Sequence, residues 1–192
     1  MAYLEELQNP KTPNYLELKA RVLSREFPWF YFGDSTCGPE VPGHINLPIY
    51  SHTLIQRPNF VPGGCAYPKV ASSDYVDLTD LVIREIMEFN NLELNCLFRL
   101  NFNCIHRIDS RDSIPHYDHS FPHKNILIYL NNSEGETKVY EEDVPFSFIR
   151  KEGAPVLTSL PREDVVISFQ GLHSAGQPAV GKRRIALVAT YC

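Results

Sequence analysis

The feature that most restricts the fold is a change of period near residue 90. Before it, one strong helical stripe runs through 76–90, where Leu78, Leu81, Val82, Ile86 and Phe89 recur at three- and four-residue spacing. After it, apolar residues come in short runs at 96–103, 124–130, 138–140, 165–169 and 184–191, cut by turn-forming stretches such as 131–135 and 151–155. Helix first and many short strands afterwards predict helices packed on one face of an antiparallel β structure. Asp77 or Thr79 is placed to cap the helix, and Asn90-Asn91 to end it.

The N-terminal part is less regular. A helix is predicted over 15–23, after Pro13-Asn14, and it must stop before Phe27-Pro28 because the residue ahead of a proline disfavours helical backbone. Residues 29–32 (Trp-Phe-Tyr-Phe) read as an aromatic strand. Residues 33–74 are rich in Gly and Pro, with one short strand at 50–56, and a loop of this length predicts a lid or a wrap over one face. The 192 residues suit a single domain, with N-terminal helices and lid-like loops over 1–93 and a β core over 94–192.

Composition removes several functional classes. With 43% hydrophobic and 21% charged residues the chain is ordinary globular material. A net charge of -5 with scattered Lys and Arg argues against an extended nucleic-acid surface. The five cysteines (Cys37, Cys65, Cys96, Cys104 and Cys192) form no CxxC pair, so neither a disulfide framework nor a Cys-based zinc site is expected. The N-terminus shows no signal-peptide pattern, and no apolar run reaches the roughly 18 residues of a membrane span. The expectation is a soluble, cytoplasmic protein that uses no membrane.

His116-Tyr117-Asp118 stands just upstream of the run 124–130. In extended backbone, residues i and i+2 point the same way, so His116 and Asp118 can reach one ion together. His173, just past the run 165–169, is the candidate third ligand. Two histidines and a carboxylate on one face of an octahedron leave three positions open, the arrangement of non-haem Fe(II) sites. His119, His123 and His106 are rival ligands in the same neighbourhood.

Arg184 leads the apolar run RIALVATY, where Arg184, Ala186 and Val188 share one face and Arg183 takes the other. A buried arginine requires an anionic partner, and its donor fork suits a carboxylate. Tyr129 shares a face with Leu127 and Asn131, and its phenol is a reasonable carboxylate donor. Asn101 and Asn103 share a face of the run 96–103. If that face points inward, they are candidate substrate contacts, as is Trp29 in the aromatic run.

The blocks HYD at 116–118, IYLN at 128–131, GET at 135–137 and GLHSAGQPAVGKRRIAL at 171–187 resemble the 2-oxoglutarate/Fe(II)-dependent dioxygenase superfamily, in its prolyl 4-hydroxylase-like branch. The resemblance covers about half the chain. It implies a double-stranded β-helix, a cupin-like jelly roll, with the N-terminal helices and loops packed on the major sheet. It implies Fe(II) on His116, Asp118 and His173, and 2-oxoglutarate held through its far carboxylate by Arg184 and Tyr129, with Thr137 lining the cavity. O2 is then the second co-substrate, succinate and CO2 are released, and ascorbate is a supporting reductant. A hydroxylase acting on a prolyl residue in a peptide is the favoured reading. A free amino acid or small metabolite is the alternative substrate. One departure stands out: Glu134 precedes Gly135 where the family usually has a second glycine.

Two other readings keep the fold and change the chemistry. A non-catalytic cupin-like binding module would dispense with a ligand or with the basic residue, and this sequence keeps all of them. A jelly-roll zinc hydrolase or manganese isomerase typically lacks an arginine leading the strand after the distal histidine.

Overall fold

The computed structural model describes residues 2–33, 47–58, 69–71, 73–108, 112–141 and 157–192. In chain order the elements are β1 (Tyr3–Leu7), α1 (Pro13–Leu23), β2 (Phe30–Phe32), β3 (Ile49–Gln56), β4 (Lys69–Val70), α2 (Val76–Phe89) and β5 (Leu97–His106). Then follow β6 (Lys124–Tyr129), β7 (Thr137–Tyr140), β8 (Leu157–Ser159), β9 (Val166–Gln170), β10 (Leu172–Ala175) and β11 (Arg183–Tyr191). The strands form two antiparallel sheets. The larger runs β1-β9-β6-β11-β5-β3-β2, with β4 on β3, and the smaller runs β10-β7-β8.

Alternation along the central strands divides the interior into two layers. Ile126 and Ile128 of β6, Ile185, Leu187 and Ala189 of β11, and Leu100, Phe102 and Cys104 of β5 face the two helices. There they pack with Tyr15, Leu18 and Val22 of α1 and with Val82, Ile83, Ile86 and Met87 of α2. Residues of opposite phase, Leu127, Tyr129, Ala186 and Val188, join Val139, Ile167 and Phe169 in the second layer. A one-residue slip in any of these strands would exchange the two layers, so the pattern fixes register strongly.

The helices differ from expectation in detail. The buried residues of α2 are Thr79, Val82, Ile83, Ile86 and Met87, while Leu81 and Phe89 are 44% and 53% exposed. The buried set follows unbroken helical spacing, and one of its members is the polar Thr79, which a search for large apolar residues passes over. Neither Asp77 nor Thr79 caps the helix. Tyr75 holds the N-cap position without a side-chain bond, and the Ser73 hydroxyl accepts the Tyr75 N–H at 3.3 Å. In α1, Thr12 accepts the Tyr15 N–H at 3.2 Å and Pro13 opens the first turn, where its missing N–H costs nothing.

The N-terminal strand β1 was not expected, because its YLEEL run carries two adjacent glutamates. It is a half-exposed edge strand, paired with β9 from Tyr3↔Gln170 to Leu7↔Val166. The expected loop 33–74 contains β3 and β4 in its described parts, and the rest of it, like the turn expected at 151–155, lies outside the described residues. Among the described residues, no helix is long and apolar enough to cross a membrane.

The turn ahead of β9 is tied to α1 by charge. Asp164 accepts from the Tyr15 hydroxyl at 2.6 Å and from the Lys19 ammonium at 2.5 Å, with Lys11 at 2.9 Å. Burial pushes its carboxyl up, but Lys19, Tyr15 and Lys11 outweigh this and lower its pKa to about 2. A depressed carboxylate stabilises the fold above its unfolded pKa near 4, and that contribution is lost as pH falls through the folded value. Stability is therefore expected to drop between about pH 4 and pH 2. Asp164→Asn should flatten that part of the profile in denaturant melts. An unchanged slope would mean that other carboxylates carry it.

Candidate active site

The histidine-aspartate segment is joined to β10 by a single antiparallel bridge, His116↔His173. The His116 N–H donates to the His173 carbonyl at 2.8 Å and the His173 N–H donates to the His116 carbonyl at 3.0 Å. Ser113 extends the seam, donating its N–H to Ala175 O at 2.9 Å and accepting the Ala175 N–H on its hydroxyl at 2.8 Å. Residues directly opposite in such a pair project to the same side. The two imidazoles therefore lie side by side, 4.7 Å between ring centroids and tilted by 49°, and Asp118 joins them two residues further on.

One ligand atom from each of His116, Asp118 and His173 lies within 4.8 Å of the others, and all three residues are buried. The Nδ1 atoms of His116 and His173 lie 2.9 and 3.1 Å from the carbonyls of Ile114 and Gly171. A carbonyl only accepts, so each Nδ1 is the protonated nitrogen and each Nε2 keeps its lone pair. Burial, reinforced for His116 by His173, holds His116 down to about 3, and burial likewise lowers His173. Burial alone would raise Asp118, but Arg57 and then Arg99 outweigh it and hold the carboxyl well below its usual range. Two neutral imidazoles and one carboxylate result, the protonation state a divalent metal requires. The rival histidines are engaged elsewhere. His119 hydrogen-bonds Thr190 at 2.7 Å and stacks on Phe121, His123 pairs with the Phe121 carbonyl, and His106 lies against Cys104 and Tyr50.

A cavity partly open to solvent contains the triad and extends to Arg184. Leu127, Phe169 and Val188 give it apolar walls, and Thr137 and Asn103 add polar ones. Arg184 is 3% exposed and takes the inward phase of β11, whereas Arg183 is exposed. Its Nη2 donates to Thr137 Oγ1 at 2.8 Å, and the same oxygen accepts from the Tyr129 hydroxyl at 2.8 Å. The guanidinium also lies over the Tyr129 ring, 5.3 Å from its centroid. Its Nε has no acceptor, and among the described residues no carboxylate pairs with it. A buried cation with an unused donor, placed in a cavity, fits a carboxylate brought in by a ligand.

The glycine of the GET block has a packing role. Gly135 has φ +91°, and a Cβ there would stand 2.4 Å from the Gly176 carbonyl oxygen. The turn thus closes backbone to backbone on the segment after His173, with the Gly176 N–H donating to Glu136 O at 2.8 Å. Glu134, the departure from the family pattern, is exposed and outside this close approach.

Two partners of Asp118 were not foreseen. Arg57 and Arg99 both donate to Asp118 Oδ1, Arg99 at 2.5 Å. The phase argument that turns Asn103 inward also turns Arg99 inward, since both lie on β5. Arg57 follows β3 and carried no signal. Of the expected substrate residues, Asn103 lines the cavity, and Asn101 is buried behind it, donating to Asn103 Oδ1 at 2.6 Å. Trp29 stands apart, on the helix side of the sheet, edge-on to Phe27 at 4.7 Å.

No protein-family model matches the sequence, and no curated protein matches it. Solved structures do match the fold. An oxidoreductase of the 2OG-Fe(II) oxygenase family from Burkholderia pseudomallei superposes with a TM-score of 0.61 at 14% identity, over 99% of this chain and 84% of that one. The non-haem, α-ketoglutarate-dependent epimerase SnoN of nogalamycin biosynthesis superposes with a TM-score of 0.57 at 16% identity, over 98% and 77%. The fold is that of the 2OG-Fe(II) oxygenases. It is the jelly roll that the four sequence blocks imply, with helices on the outer face of the major sheet.

Proposed function

We propose that this protein is an Fe(II)- and 2-oxoglutarate-dependent oxygenase. The observation that carries the reading is the pairing of two features in one cavity: a buried His-Asp-His triad and a buried arginine lacking an anion. Either alone is ordinary, and together they match a metal and the far end of a dicarboxylate. His116, Asp118 and His173 would hold the iron, and Arg184, with Thr137 and Tyr129 behind it, the distal carboxylate. Bound there, iron(II) with 2-oxoglutarate and O2 would supply the oxidising power to hydroxylate an unactivated carbon, with succinate and CO2 as co-products.

The chain's own residues do the positioning. The carbonyls of Ile114 and Gly171 fix the tautomer and ring angle of the two histidines. Arg57 and Arg99 occupy Oδ1 of Asp118, leaving Oδ2, 3.5 Å from His173 Nε2, for the metal. Thr137 holds the Arg184 fork in place. Leu127, Phe169 and Val188 give apolar walls to the cavity that holds the metal ligands and Arg184.

Hydroxylation is the favoured outcome, and the motif resemblance favours a prolyl residue in a peptide, with a free amino acid or small metabolite as the second substrate class. The test is succinate formation from 2-oxoglutarate with Fe(II) and ascorbate, across a panel of prolyl peptides and amino acids. Succinate above the metal-free background supports the reading. No iron-dependent succinate, together with no binding of Mn(II) or 2-oxoglutarate by calorimetry, overturns it.

A further inference from the structure

The charge balance of the cavity bears on what else enters it. Three arginines (Arg57, Arg99 and Arg184) line it against one carboxylate, Asp118, an excess of two positive charges among the described residues. Iron(II) and 2-oxoglutarate carry equal and opposite charges, so loading both leaves the excess in place. The far carboxylate of the co-substrate pairs with Arg184, so Arg57 and Arg99 are the cations with donors left for a further ligand.

Those two arginines are arranged unlike a structural pair. Each spends one nitrogen on the same oxygen of Asp118, and no described residue accepts from their other nitrogens. One guanidinium suffices to orient a carboxylate, and a fork can serve both of its oxygens. Here the second oxygen faces His173 instead. The two cations converge on one carboxylate oxygen, which brings them close together. Among the described residues Asp118 is the one anion between them, and it offsets one of the two charges. Arg57 keeps 33% of its side chain exposed and Arg99 16%, so the pair is reachable from solvent.

We propose that Arg57 and Arg99 bind an anionic group of the substrate, a carboxylate or a phosphate, beside the metal and apart from the 2-oxoglutarate site. This rests on the oxygenase reading and narrows its substrate class to acids. Neutral compounds of the same shape leave the cavity's positive excess uncompensated and bind more weakly.

The test uses inorganic phosphate as the probe, titrated into the full chain with Mn(II) and 2-oxoglutarate bound, at constant ionic strength set with chloride. The expected result is saturable binding by calorimetry, weakened at least tenfold in Arg57→Gln and largely kept in Arg57→Lys, with Mn(II) and 2-oxoglutarate raised to saturation for each variant because Arg57 also holds the metal ligand Asp118. Matched acids and their amides should then separate in the succinate assay, only the acids stimulating turnover. Equal phosphate binding by wild type and Arg57→Gln overturns the inference, as does phosphate that binds only when 2-oxoglutarate is left out, because it has then taken the Arg184 site. The same titration is run without metal and co-substrate. Failure of 2-oxoglutarate to bind sinks the oxygenase reading, while the Arg57 dependence of phosphate binding reads the anion site by itself.

Discussion

His173→Ala is expected to lose the metal while the protein stays folded. The link between the HxD segment and β10 is made by backbone groups, the two N–H to carbonyl bonds between residues 116 and 173, and alanine keeps both. What alanine removes is the imidazole whose Nε2 lies 3.5 Å from Asp118 Oδ2. Only His116 and Asp118 are then left, two ligands from one short segment. Loss of an outer partner alone costs about 10- to 100-fold in metal affinity, so loss of a ligand should exceed about 100-fold. Mn(II) titration by calorimetry measures this, and iron-dependent succinate release should fall to background. His119→Ala is the matched control, since His119 is close in sequence but bonded to Thr190. It should bind Mn(II) like the wild type. If His173→Ala keeps wild-type affinity, or His119→Ala loses it, the ligand set is wrong.

How far the site could be read from the chain depends on what kind of regularity placed each residue. Tyr129, Arg184, Asn101 and Asn103 sit on strands, so which residues share their faces followed from counting by two, while the inward direction of the Asn101 and Asn103 face did not. Asp118 followed from His116 by the same rule. His173 is different. Its place opposite His116 is a matter of register between segments far apart in sequence, and the family's motif order supplied it, where periodicity could not. The carbonyls of Ile114 and Gly171 were illegible because backbone groups carry no sequence signal. Arg57 was illegible because it lies beyond the end of β3, where no alternation fixes its direction. The helices illustrate the opposite error. Leu81 and Phe89 fit the stripe by size, yet the packed face of α2 is set by continuity of spacing through the fully buried Thr79.

Arg184→Met is expected to move affinity and stability in opposite directions. Arg184 is 3% exposed, and its described polar contacts are one bond to Thr137 Oγ1 and the face of Tyr129. Without a ligand it is a buried cation with an unsatisfied Nε. Replacing such a charge by an apolar chain of similar length is neutral or stabilising in many proteins. The ligand-free variant should therefore melt no lower than wild type. With 2-oxoglutarate the order reverses. A charge-assisted, two-point contact in a buried site is worth roughly 3 kcal/mol, which is about 100-fold in Kd. At a concentration 100 times the wild-type Kd, the wild type gains about 2.7 kcal/mol from the ligand, and the variant gains only a fraction of that. Arg183→Met is the phase control: Arg183 is exposed and faces the other way, so both melts should match wild type. A ligand-free melt that falls steeply in Arg184→Met, with the 2-oxoglutarate shift intact, would make Arg184 a structural residue. The same shift lost in Arg183→Met would place the strand one residue out of phase. Opposite signs from one substitution are hard to obtain from general damage to the fold, because damage lowers the stability of both the empty and the loaded protein. A side chain whose removal helps the empty protein and harms only the loaded one is kept for its ligand.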